Sequence, residues 1–270
     1  MRTRKGKIGI CMVVSIMAAG LLGSTAMAQV YTDPVGFVKV DVYRNGYTMI
    51  SVPLRASDTA MNGVAGCIGD IFEGVLLGAS SAGEADAVLK WDAASVRYGY
   101  AWLVDGWGVP YDGTWQDPDT GVDSTMTFEP GEACWVLRMN QGAEVETITF
   151  LGWVPMEETK TLSFIQGLNM FNWPYPTTLG IDASGLGAVS TAGGSAGEAD
   201  VVWQWDTQAE TYTIAFLVTG WGAPYDGNWY DPNTSAIVPP FTSIEFGPGK
   251  AFWFQRQFAD PVVWVCSRPY

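Results

Sequence analysis

Two tandem all-β modules of a small sandwich or barrel-like kind are what this sequence predicts. Three observations predict them: one block of sequence is written twice, β-branched and aromatic residues gather in short runs, and Gly, Pro, Asn and Asp punctuate those runs at close intervals. The repeat is plain. Ser81-Ala-Gly-Glu-Ala-Asp86 returns 114 residues later as Ser195-Ala-Gly-Glu-Ala-Asp200. At the same spacing Trp91-Asp92 returns as Trp205-Asp206, Gly106-Trp-Gly108 as Gly220-Trp-Gly222, Pro110-Tyr-Asp-Gly113 as Pro224-Tyr-Asp-Gly227, and Trp115 as Trp229. The spacing then lengthens by four, pairing Phe128-Glu-Pro-Gly131 with Phe246-Gly-Pro-Gly249 and Ala133-Cys-Trp-Val136 with Ala251-Phe-Trp-Phe254. Upstream, Gly46–Leu54 matches Gly167–Tyr175 at Gly, Met and Pro. The modules are accordingly placed at residues 29–155 and 156–270.

From the amino terminus, residues 1–28 read as a secretory signal peptide. Arg2, Arg4, Lys5 and Lys7 form a basic start, Ile8 to Leu22 is apolar, and Ala26-Met27-Ala28 is a small-x-small cleavage site. The expected location is secreted or cell-envelope, extracellular or periplasmic, after cleavage near Ala28. The mature chain would contain no membrane span, because no later run is long and apolar enough. Phe37–Val42, Thr147–Leu151 and Val262–Val265 then read as strands. Asp58 to Leu77 sets Met61, Val64, Ile68, Ile71, Phe72 and Val75 at three-and-four spacing, which predicts a helical insertion over the first module. The corresponding stretch of the second copy, 179–194, is Gly-rich and reads as loop. Thr161–Ile165 and Leu168–Trp173 flank Gln166-Gly167 as a hairpin would. Glu129-Pro-Gly-Glu132 and Gly247-Pro-Gly-Lys250 have Pro and Gly where tight turns want them. Export permits disulfides, but Cys67, Cys134 and Cys266 are an odd number, and the apolar runs around Cys134 and Cys266 suit buried thiols.

The order Gly46-x-x-Met-x-x-x-Pro, the Val88–Asp92 strand and Phe128–Val136, repeated over Gly167–Tyr175, Val202–Asp206 and Phe246–Phe254, resembles a recurrent β module of exported bacterial proteins. The opening Asp33-Pro-Val-Gly-Phe-Val38 is similar to that of verrucomicrobial-type secreted proteins. The resemblance implies the tandem architecture and carries no catalytic residues. This chain departs from the usual module by long insertions at Asp105–Ser124 and Thr219–Pro240, so a function of its own is sought there.

Charge narrows the classes. The chain has 14 basic and 28 acidic residues, no His, and a net charge of −14, which becomes −18 once the four basic residues of the signal leave. Without histidine there is no imidazole base, no Ser-His-Asp site and no His-bound metal. An acidic surface without a basic patch does not suit nucleic acid. The expectation is a protein without enzymatic activity that binds or assembles.

Within the insertions Trp107, Tyr111 and Trp115, and their counterparts Trp221, Tyr225 and Trp229, are candidate aromatic platforms, with Asp112 and Asp226 as polar partners. They suit contacts with other surface proteins or with a second copy of the chain. Alternatively they stack on a polysaccharide, or fold back as local cores. Asp117, Asp119 and Asp123 alternate as calcium ligands do, yet the series lacks the remaining positions of a calcium loop and also reads as a turn. No other cofactor is expected. Glu84 with Asp86, and Glu198 with Asp200, are the carboxylates that a glycosidase reading would use.

Overall fold

A computed structural model describes residues 34–56, 66–72, 74–237 and 244–270. The expected signal peptide and the first part of the expected helix lie outside them. The protein is all-β. The first half runs β1 (Val35–Tyr43), β2 (Gly46–Ser51), helix α1 (Ile68–Ile71), β3 (Ala87–Asp92), β4 (Arg97–Leu103), β5 (Trp115–Gln116), β6 (Ala133–Arg138) and β7 (Val145–Trp153). The second runs β8 (Thr159–Phe164), β9 (Gly167–Phe171), β10 (Leu179–Gly180), a 3-10 turn (Leu186–Ala188), β11 (Val201–Asp206), β12 (Thr211–Leu217), β13 (Trp229–Asp231), β14 (Ala236–Ile237), β15 (Glu245–Phe246), β16 (Phe252–Arg256) and β17 (Val262–Ser267).

Both halves have the same strand order. In the first, a β2-β6-β3-β4-β5 sheet is faced by the β1-β7 ribbon; in the second, β9-β16-β11-β12-β13-β14 is faced by β8-β17. All these pairings are antiparallel. Strand alternation explains the layers: along β7 every second residue is buried, and Ile148 and Phe150 meet Ile50, Val88, Cys134 and Val136 of the sheet.

Two expectations need correction. The Gln166-Gly167 turn does not close a hairpin, because β8 pairs with β17 and β9 with β16. It is a corner that carries the chain from ribbon to sheet. Asn169 braces it by accepting from Ile165 N–H at 3.0 Å and donating to Ile165 O at 2.8 Å, while Gly167 supplies a φ of 97°. The predicted helix is reduced, among the described residues, to the single turn α1. Gly66, at φ 76°, and Gly74, at φ 74°, bracket it with left-handed backbone that a continuing helix does not tolerate. The second copy's 179–194 stretch is not wholly loop either, since β10 pairs with β15.

The two sheets meet face to face about a local twofold. Trp91 packs edge-on against Trp253 at 5.7 Å, and the equivalent pair Trp205 and Trp135 meets at 5.8 Å. The indole of Trp91 donates to Leu168 O at 2.7 Å, and that of Trp205 donates to Tyr47 O at 3.1 Å. Met49, Ala133, Met170 and Ala251 complete the apolar centre. The Pro-Gly turns act as reciprocal clasps: Ser51 N–H donates to Gly249 O at 3.2 Å, and Asn172 N–H to Gly131 O at 2.9 Å. A Cβ on Gly131 would lie 3.1 Å from Leu162 Cδ2, and one on Gly249 would run into Val40. The glycines therefore serve close approach as well as turn geometry. Such an arrangement is isologous, as in a C2 dimer, but within one chain.

Candidate functional site: two braced aromatic loops

Among the described residues each insertion folds back on its own sheet, Trp107 packing on Trp102 and Trp221 on Phe216. After β4 the chain passes through Gly106 (φ 92°) and Gly108 (φ 81°), and after β12 through Gly220 (φ 85°) and Gly222 (φ 83°), with cis prolines at 110 and 224. Asp112 turns inward: its Oδ1 accepts from Trp107 N–H at 2.8 Å and Gly108 N–H at 3.0 Å, and Asp226 accepts from Trp221 N–H at 2.9 Å. The expected polar partners thus hold the loop backbone. Each loop is also tied to the Ser-Ala-Gly-Glu-Ala-Asp segment or its lead-in. Trp107 Nε1 donates to Ser80 O at 2.8 Å, and Trp221 Nε1 to Gly194 O at 3.0 Å. Two motifs separate in sequence therefore form one element in each half.

Of the six candidate aromatics, four remain at the surface region of the loops. Trp107 is 48 % exposed, Tyr111 49 % and Trp221 43 %, while Tyr225 is half-buried. The ring pairs are edge-on, 71° for Trp107 with Tyr111 and 61° for Trp221 with Tyr225, so they form no flat platform. Trp115 and Trp229 are the correction, at 6 % and 3 % exposed. They lie on β5 and β13 and point into the two cores, because each is paired across strands with a core-facing leucine, Leu103 or Leu217.

The acidic motif has a structural role that the sequence concealed. Asp86 and Asp200 are fully buried. Asp86 accepts from Leu77 N–H at 2.9 Å and Met139 N–H at 2.7 Å, and Arg138 Nε lies 3.6 Å away. Asp200 accepts from Thr191 N–H at 2.8 Å, Gln257 N–H at 3.0 Å and Arg256 Nη1 at 2.6 Å. Each carboxylate pins the loop to the end of β6 or β16. Extending the repeat by two residues past Val136 and Phe254 aligns Arg138 with Arg256, a signal available in the sequence. Glu84 and Glu198 are exposed, and Glu84 accepts from Ser81 Oγ at 3.1 Å.

Asp117, Asp119 and Asp123 do not converge. Asp117 Oδ1 accepts from Asp119 N–H at 2.8 Å and Thr120 N–H at 3.3 Å, as an Asx turn does, and no group of three or more His, Cys, Asp or Glu gathers among the described residues. Cys67, Cys134 and Cys266 are buried and not disulfide-bonded. Burial pushes the Cys266 thiol up to about 12 and raises Cys134 as well, so neither is a thiolate at neutral pH. Among the described residues no helix is long and apolar enough to cross a membrane. Compared with known proteins, the chain matches no family model, no curated protein and no solved structure.

Proposed function

We propose that this chain is a secreted, non-enzymatic binding or structural protein of the cell surface or exterior. Its two braced loops each present a tryptophan–tyrosine pair to another surface protein or to a second copy of the chain. One observation carries the reading: Trp107, Tyr111 and Trp221 stand at the surface, with Tyr225 half-buried beside Trp221, on backbone held in both loops by matching hydrogen bonds. Trp and Tyr offer large, rigid contact area at low conformational cost, and a pre-set loop loses little further entropy on binding. Two copies on one chain add avidity toward a repeating partner. The buried Asp86 and Asp200 support the reading, since the repeated acidic motif shapes these loops and holds its aspartates away from solvent.

Light scattering from micromolar to millimolar concentration tests it. The account expects a mass that grows with concentration and a loss of that growth in Trp107→Ala with Trp221→Ala. A constant monomer mass, together with no contact of either aromatic pair in cross-linking at the native surface, contradicts it.

A further inference from the structure

Away from the aromatic loops, the first ribbon has an unused strand edge. β1 is nine residues long and pairs on one side only, with β7. Arg44 N–H donates to Glu144 O and Val154 N–H to Pro34 O, so the even-numbered residues of β1 turn their backbone groups toward β7. The odd-numbered residues Val35, Phe37, Lys39 and Asp41 turn theirs to the other edge, where among the described residues no backbone partner meets them. Their side chains point outward as well, and all four residues are exposed, Phe37 to 67 %. A long edge strand of this kind is a template for another strand.

The order of side chains says which strand fits. In Phe37-Val-Lys-Val-Asp-Val-Tyr43 the residues on either side of Val40 complement each other. With a second copy of β1 laid antiparallel and Val40 on the twofold axis, Lys39 stands opposite the second copy's Asp41, and Asp41 opposite its Lys39, all on the exposed face. Phe37 then stands opposite the second copy's Tyr43, and Val38 opposite its Val42. The ladder ends there, because Tyr43 N–H is given to Thr48 Oγ1 at 3.4 Å.

Charge also rejects the neighbouring registers. Only odd residues offer backbone groups to this edge, so the pairing can slip only by moving the axis to Lys39 or to Asp41. Either slip sets a charge against its own kind, which is destabilising directly across a ladder. Charges on an edge strand ordinarily keep other strands away, but this pair is satisfied in one register. The repeat supplies the comparison: β8, the equivalent strand of the other ribbon, is six residues long and presents Thr159, Thr161 and Ser163. We propose that β1 is a dimerisation edge, joining a second copy antiparallel about Val40 into one β7-β1-β1-β7 sheet. The contact is isologous, and it does not depend on the aromatic-loop reading above.

Sedimentation velocity of the protein at low micromolar concentration, with hydrogen exchange read at single amides, tests it. The parent and Trp107→Ala with Trp221→Ala should both run at twice the monomer mass, with the amides of Phe37, Lys39 and Asp41 protected in both. Lys39→Asp sets Asp against Asp on both sides of the axis and should weaken association by about tenfold or more, freeing those amides. Adding Asp41→Lys restores opposite charges in the same register, and association should return to within about threefold of the parent. Far-UV circular dichroism checks that each variant is folded. The proposal is overturned if the parent stays monomeric, if Lys39→Asp associates like the parent, if the charge swap fails to restore association, or if the loop variant alone abolishes it. The last outcome would assign the contact to the aromatic loops. A loop variant that stops at twice the monomer mass, while the parent grows further at higher concentration, supports both interfaces.

Discussion

Where the first half places Ile50, Cys134, Val136 and Ile148 in its core, the second places Phe171, Phe252, Phe254 and Trp264 at the equivalent strand positions. The smaller residues of the first core coincide with the segment around α1. Phe72 enters that core and meets Trp115, Phe128 and Phe150 at 6.0–6.1 Å. In the second half the aromatic cluster fills the centre, and the shorter segment contributes Ile181 and Leu186. One architecture is thus packed in two ways, as expected where total volume matters more than residue identity. The surfaces that face each other behave differently. The Trp pairs, the indole-to-carbonyl bonds and the Pro-Gly clasps are kept in both halves, because a change on one side of an isologous contact leaves the other side mismatched.

The comparison is most severely tested at its centre. Trp135→Ala and Trp253→Ala each remove one ring of an equivalent crossing pair, so each should lower unfolding free energy by about 3–5 kcal/mol, and the two losses should be nearly equal. Urea denaturation of the two variants measures this; a loss in one only would mean that the interface is not symmetric. The buried ion pairs should separate the halves. Asp200→Ala removes the carboxylate partner of the buried Arg256, at 2.6 Å, leaving it the neutral acceptors Asp260 O and Thr191 Oγ1, and should cost about 3–5 kcal/mol. Asp86→Ala should cost less, because Arg138 stands 3.6 Å from Asp86 and donates to the carbonyls of Ala143 and Gln141.

Much of this was legible in the sequence because it rests on local chemistry. The Trp-Asp hairpins and the Pro-Gly turns follow from residue type and spacing, and the structure has them in place. What escaped was long-range. Nothing local tells Trp115 on a two-residue strand to point inward, or Trp91 to cross to another module, since either choice satisfies the same pattern. The ribbon-to-sheet corner at Gly167 looks like a hairpin for the same reason: the turn residue reports a reversal of the chain, and partner choice is set by which face the flanking apolar residues bury. The likeness of the loops between copies also has a partial cause now. Gly106, Gly108, Asp112 and Trp107 are needed to brace the loop, whereas the phenol ring of Tyr111 remains half-exposed beyond that need.

Smaller effects sharpen the comparison further. Gly249→Ala forces a Cβ into Val40 at a φ of 77° and should cost about 1–3 kcal/mol, more than Gly131→Ala, whose Cβ would stand 3.1 Å from the mobile end of Leu162. Thermal melts of the two variants rank them. At the hairpin tips Val96 and Glu210 both adopt left-handed backbone, φ 51° and 49°. Val96→Gly should stabilise the protein by about 1 kcal/mol, and Glu210→Gly by less, because a β-branched residue is the more strained there. A loss of stability in Val96→Gly would contradict the strain.

The central claim is that reciprocal Trp contacts and Pro-Gly clasps make the two halves one cooperative body, and differential scanning calorimetry of the protein tests it most directly. The account predicts a single transition whose calorimetric and van't Hoff enthalpies agree, shifted as a whole to lower temperature by Trp253→Ala. Two separate transitions, with Trp253→Ala moving only the second half's, would contradict it.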